Sequence, residues 1–208
     1  MRLACLVVSA LLFAGPALAQ DEDQKLERPA DWNVRFDRPA ADSDLYFVSM
    51  PPGWHVTSGP ASILYNPSQV ASGEYKLESK IYLFPGQRRE GFGVLFGGQG
   101  LDGPDQNYIY FLIRGDGSYL VKLRAGSEAQ AVIPWTKHEA IVEHEGQEGA
   151  AENVLAVQCG SEMIDFFVNG EKVNSLPIGD LEVDGVVGLR VNHGLNLHVA
   201  ELTITGGG

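Results

Sequence analysis

Residues 91–124 constrain the fold more tightly than any other part of the chain. GFGVLFGGQ is followed by an acidic loop, LDGPDQN, then YIYFLI, the turn RGDG and SYLVKLR. Two runs rich in β-branched and aromatic residues meet across Gly115-Asp116-Gly117. This is a hairpin signal, because glycine supplies the positive φ that tight turns need. The same grammar recurs along the chain. Short strand-like runs occupy 45–50, 55–65 with a break at Gly59-Pro60, 75–84, 92–96, 108–113, 119–124, 140–144, 154–159, 163–168, 186–191 and 197–204. Asn169-Gly170 marks a second hairpin. No segment carries a useful helical period. Many short strands at roughly 8–12 residue spacing predict a sandwich or barrel. YIYFLI and GVVGLRV are apolar on both faces and need cover on both sides, which favours an all-β jelly-roll sandwich of two curved antiparallel sheets.

The first residues read as an export signal. Arg2 supplies the positive start, residues 3–13 an apolar run, and Ala17-Leu18-Ala19 a small-residue cleavage site, so cleavage is expected before Gln20. The predicted organisation is a signal peptide over 1–19, a flexible acidic leader over 20–31, one sandwich domain over 32–205 and a frayed tail over 206–208. No second apolar run follows that could span a membrane, so the mature protein is expected to be soluble in the periplasm or outside the cell, with no membrane insertion. Removing the signal leaves one cysteine, Cys159, which shares a period-two face with Leu155 and Val157 and reads as a buried core residue. Acidic side chains outnumber basic ones by twelve. That field opposes nucleic acid as a partner.

Several motifs occur in a recognisable order: an early W-x-V strand, GEYKLESKIYLF, GFGVLFGG, YFLIRGDGSYLVKLRAG, an N-V-L strand, FFVNGEKV and GVVGLRVNHGLNLHVAELTI. Together they resemble bacterial exported domains of the concanavalin A-like lectin/glucanase superfamily, nearest to those of the 3-keto-disaccharide hydrolase type. The resemblance covers residues 32–205 and rests on strands, hairpins and glycines, so it implies a fold more than a function. It implies a saccharide or glycan as partner and raises glycoside cleavage as an activity. Laminarinase-type members carry Glu-x-Asp-x-x-Glu on one strand, and retention or inversion needs two carboxyls about 5–5.5 or 6.5–9.5 Å apart. This chain lacks that triplet. Its nearest imitation, Glu182-Val-Asp184-Gly185, ends in a turn residue, and Glu74 and Glu78 alternate with Lys76 and Lys80 in what reads as a solvated ion-pair stripe.

Alternation along the hairpin predicts that Tyr108, Tyr110 and Arg114 share a face with Tyr119, while Ile109, Phe111, Ile113 and Leu120, then Lys122 and Arg124, share the other. Tyrosine rings stack on the C–H faces of sugars and phenol and guanidinium groups bond hydroxyls, so the first face reads as a sugar platform or as plain sheet cover. Arg190 and Asn192, with His193 in the next turn, would extend the same concave face if their strand neighbours that of Tyr108. His193 and His198 lack the companions of a metal site. Asp102, Asp105 and Asn107 offer few of the six to eight oxygens calcium takes, so no cofactor is expected. Trp135, after Pro134, is expected to fill the core.

The leading expectation is an exported, lectin-like carbohydrate-binding module without catalytic residues. One alternative is an enzyme that cleaves 3-keto-saccharides by proton abstraction and elimination, with His193 or Glu78 as base. The other is a cell-envelope interaction module whose protein partner the sequence does not name.

Overall fold

The computed structural model describes residues 26–86, 89–144 and 148–207. The expected signal segment lies outside the described residues, as does the first half of the leader. Among the described residues, fourteen strands form two seven-stranded antiparallel sheets. The first sheet runs, edge to edge, through β1 (Asn33–Phe36), β4 (Ser62–Ala71), β13 (Gly185–Val191), β6 (Gly91–Gln99), β7 (Asn107–Arg114), β8 (Ser118–Ala125) and β9 (Glu128–Lys137). The second runs through β12 (Glu171–Pro177), β11 (Met163–Val168), β10 (Ala151–Cys159), β5 (Tyr75–Leu83), β14 (Asn196–Gly206), β3 (Trp54–Ser58) and β2 (Leu45–Ser49). The all-β, two-sheet jelly-roll expectation is met. Among the described residues, no helix is long and apolar enough to cross a membrane.

Period-two burial builds the core. Along β5, Tyr75, Leu77, Ser79, Ile81 and Leu83 are buried, while Lys76, Glu78, Lys80 and Tyr82 between them are half-buried on the outer side. Aromatic rings bridge the two sheets, with Phe166 of β11 lying 5.2 Å from Phe111 of β7 and 6.4 Å from Phe96 of β6. Each such side chain contributes roughly 1.5–3 kcal/mol by leaving water. Cys159 is buried in this core, and burial pushes its thiol up to about 11.

Two segments differ from their expected form. Residues 140–144 form a loop, not a strand, because side-chain amides take the place of a neighbouring strand. The buried Asn153 accepts from the Val142 N–H at 2.9 Å and donates to its carbonyl at 3.0 Å, while Asn169 donates to the Ala140 carbonyl at 2.7 Å. Conversely, β9 is a strand that its mostly exposed composition conceals. As the last strand of its sheet it tolerates Pro134, which falls at a register irregularity, between Ile133 and Thr136, in the pairing with β8.

The β7–β8 hairpin also differs in register. Arg114 pairs with Ser118, leaving the three residues Gly115, Asp116 and Gly117 in the loop. The Gly117 N–H closes the turn on the Arg114 carbonyl at 3.0 Å, and its φ of +80° suits glycine. An odd loop length exchanges the faces of β8 relative to the expectation. Lys122 therefore lies opposite Tyr110 and Arg124 opposite Tyr108, while Tyr119 lies opposite Ile113 on the core side. There the Tyr119 hydroxyl donates to the Val173 carbonyl at 3.1 Å and accepts from Asn174 Nδ2 at 2.9 Å. Replacing Tyr119 by Phe is expected to lower stability by roughly 1–3 kcal/mol through the partners left unpaired. Urea melts check this, and an unchanged midpoint would contradict the inward placement.

Candidate functional site

The first sheet is apolar on both faces. Its inner face meets the second sheet, and its outer face carries a second buried cluster that includes Ile63, Tyr65, Leu95, Tyr108, Tyr110, Leu112 and Leu120. Tyr108 and Tyr110 stand at successive outward positions of β7, with ring centroids 5.6 Å apart. They are only 1% and 6% exposed, so they form a floor and offer ring edges, not free stacking faces. Burial raises both phenols, against the opposing pull of Arg190 and Arg124, and brings Tyr110 up to about 12.

Arg190 of β13 covers that floor. Its strand is separated from β7 by β6, so it does not neighbour the Tyr108 strand directly. The side chain nevertheless reaches the β7 tyrosines across β6, where Gly93 is the residue in register between Arg190 and Leu112. The guanidinium carbon lies 5.5 Å from the Tyr110 ring centroid. A charge this deeply placed needs a partner. Asp37, just beyond β1, supplies one through two parallel bonds, Nη1 to Oδ1 and Nη2 to Oδ2, both 2.6 Å. Burial works against the Arg190 charge, and the Asp37 contact more than restores it. Burial likewise pushes the Asp37 carboxyl up, but the Arg190 hydrogen bonds and charge, helped by Arg124, hold it below the usual carboxylate range. Asn192 Oδ1 accepts from Arg190 Nε at 3.2 Å and completes the arrangement.

The far side of the floor is bounded by Arg114. Its Nε donates to Asp116 at 2.8 Å, and its guanidinium carbon lies 4.3 Å from the Trp135 ring centroid. Trp135 therefore sits half-buried on the outer face, not in the core as its sequence position suggested. Gly91 makes room for it, since a Cβ there would come within 2.8 Å of the indole ring. At the Tyr108 end, Arg35 of β1 donates to the Leu101 and Gly103 carbonyls at 2.7 and 2.5 Å. These bonds hold the acidic loop across one end of the face, beside a recess of about 220 Å³ lined in part by Asn33, Tyr65 and Leu101.

Of the residues singled out from sequence, the fold brings together Tyr108, Tyr110, Arg114, Arg190 and Asn192. Tyr119 is excluded, on the core side. His193 stands at the rim, exposed, with Nδ1 3.8 Å from Glu90 Oε2. His198 lies on the second sheet, 6.4 Å from His55. Glu78 is also on that sheet, paired with Lys76 at 2.5 Å. Among the described residues, no three His, Cys, Asp or Glu side chains group so as to hold a metal ion. Sequence reasoning missed Asp37, Arg35, Trp135, Lys122 and Arg124. The last two depend on the turn length, which the sequence leaves open between even and odd closures, whereas Asp37 lies 153 residues from Arg190 and gave no local signal.

No family model and no curated protein matches the chain. Solved structures do resemble it. The carbohydrate-binding module CBM66 from Bacillus subtilis aligns with a TM-score of 0.62 at 12% identity, over 85% of this chain and 96% of its own. A Bacillus subtilis protein of unknown function with a galectin-like fold aligns at 0.59 and 9%, over 84% and 88%. A glycoside hydrolase family 16 endo-glucanase from Bacteroides ovatus aligns at 0.56 and 10%, over 88% and 96%. At these identities the likeness establishes a concanavalin A-like, galectin-like sandwich and nothing narrower. The 3-keto-disaccharide hydrolase type remains a sequence resemblance.

Asp37→Asn is expected to destabilise the protein by roughly 1.5–3 kcal/mol at neutral pH, the range for hydrogen bonds to a charged group. Because folding lowers the Asp37 pKa, this contribution is fully present above the unfolded value of about 3.9. It is lost as pH falls through the folded value, below that. Urea melts of both proteins from about pH 6 to about pH 3 should therefore converge in the acid range.

Proposed function

We propose that this chain is an exported carbohydrate-binding domain that holds a saccharide on the outer face of its first sheet. The observation that carries the proposal is the tyrosine floor bordered by two fixed charged pairs, Arg190–Asp37 and Arg114–Asp116. A sugar on this face meets, around the buried floor, donors and acceptors for its hydroxyl groups: Asn192, Asp37, Arg114 and the half-buried edge of Trp135. The fold supports this, being shared with a carbohydrate-binding module. The export signal read in the sequence is consistent with a partner found outside the cell.

Binding is favoured over hydrolysis by the residues of β7. Its outward positions are Tyr108, Tyr110, Leu112 and Arg114, with no carboxylate among them. The nearby Asp37 and Asp116 are each bonded to an arginine and held below the usual carboxylate range, which suits orientation and not proton donation.

A thermal-shift screen against a saccharide panel tests the proposal. A ligand-dependent rise in melting temperature is expected, and Arg114→Ala or Asn192→Ala should weaken binding by about tenfold, or 1.4 kcal/mol. A flat panel at millimolar sugar would count against saccharide binding by this domain.

A further inference from the structure

The distribution of charge over the fold says which saccharides this face suits, taking the saccharide-binding proposal as its basis. The chain has 27 Asp and Glu against 15 Lys and Arg. The strands of the first sheet invert that balance. They carry Arg35, Arg114, Lys122, Arg124, Lys137 and Arg190 against one carboxylate, Glu128. The strands of the second sheet carry three lysines and five carboxylates.

Local pairing sharpens the contrast. Arg190 and Arg114 are neutralised by Asp37 and Asp116. Arg35 and Arg124 donate instead to backbone carbonyls, of Leu101, Gly103 and Gly126, and form no carboxylate hydrogen bond among the described residues. The loop that Arg35 holds does carry the exposed Asp102 and Asp105, and Asp37 acts on Arg124 through its charge. Lys122 makes no ion pair among the described residues. The hairpin register sets Lys122 directly opposite Tyr110 and Arg124 directly opposite Tyr108. Arg190, Arg124 and Arg35 all act on the buried Tyr108 phenol, while Asp37 is the carboxylate that acts on it. The floor is thus bordered by cationic charge in excess of its fixed partners, on a protein that is otherwise strongly acidic.

We propose that the outer face of the first sheet selects anionic saccharides, those bearing carboxylate or sulfate groups, with Lys122 and Arg124 as the cations that receive the anion. Both side chains are half-buried on the outward face, beside Tyr110 and Tyr108, the kind of position from which a long cationic side chain keeps its charged head in water. A neutral sugar gains nothing from this excess charge. An acidic one is drawn to the one sheet whose field opposes the repulsion of the rest of the molecule.

Calorimetric titration of the full chain with an oligogalacturonate, a sulfated oligosaccharide and a neutral gluco-oligosaccharide tests this. At low salt at least one acidic ligand should bind about tenfold or more tightly than the neutral one. The advantage should shrink by about 0.3 M salt, where screening acts within less than about 8 Å. Lys122→Glu and Arg124→Glu reverse charge outside the core and should each cost the acidic ligand about tenfold or more. Which acidic ligand binds better identifies the anion, carboxylate or sulfate. Binding of the neutral ligand as tightly as both acidic ones overturns the selectivity and leaves the saccharide proposal standing. Failure of all three to bind overturns both.

Discussion

Closure of the β7–β8 hairpin across three residues pairs Arg114 with Ser118, and each side chain of β8 takes its face from that pairing. With the opposite parity, Lys122 and Arg124 would enter the interface between the sheets, where unpaired charge is costly. Tyr119 would leave it. The observed parity sends Val121 and Leu123 inward and the two cations outward, and in β9 a register irregularity around Pro134 then places Ile133 inside and Trp135 outside. One turn thereby decides both the apolar content of the core and the charge of the opposite surface.

A sheet with apolar character on both faces has to cover the second one from its own resources. The cover here is local. Arg190 lies over Tyr110, Arg114 over Trp135, and Leu101 is buried at the end that Arg35 holds in place. Gly91 clears the path for one of these covers, since a Cβ there would collide with the Trp135 ring. The Asp37 contact is what permits a guanidinium to serve as cover at all, because an unpaired charge at 5% exposure would not remain there.

Much of this was legible in the sequence. Alternation in YKLESKIYL, the apolar run YIYFLI and the Gly and Asn-Gly turns locate most strands, and the same signals lead to a two-sheet sandwich. The outward set Tyr108, Tyr110 and Arg114 follows from period two alone. What escaped depends on quantities that period two does not contain. Face assignment on β8 required the number of loop residues, which Gly115-Asp116-Gly117 leaves ambiguous between even and odd closures. β9 is an edge strand with Pro134 and few apolar residues, so its pattern resembles a loop. The loop at residues 140–144 has the composition of a strand but owes its shape to Asn153 and Asn169, remote in sequence. The Asp37–Arg190 contact joins residues 153 positions apart and is purely tertiary.

The bordering pairs also bear on the entropy of recognition. Arginine side chains normally lose up to about 2 kcal/mol of rotamer freedom when a ligand immobilises them. Arg190 and Arg114 have already surrendered most of that freedom, the first to Asp37 and Asn192, the second to Asp116 and the Trp135 ring. A ligand on the proposed face would meet paired arginines that folding, not binding, has ordered. Lys122 makes no ion pair among the described residues, so on the proposed ligand-binding face adaptation to ligands of different shape would fall to that side chain, while the paired arginines would discriminate by stiffness.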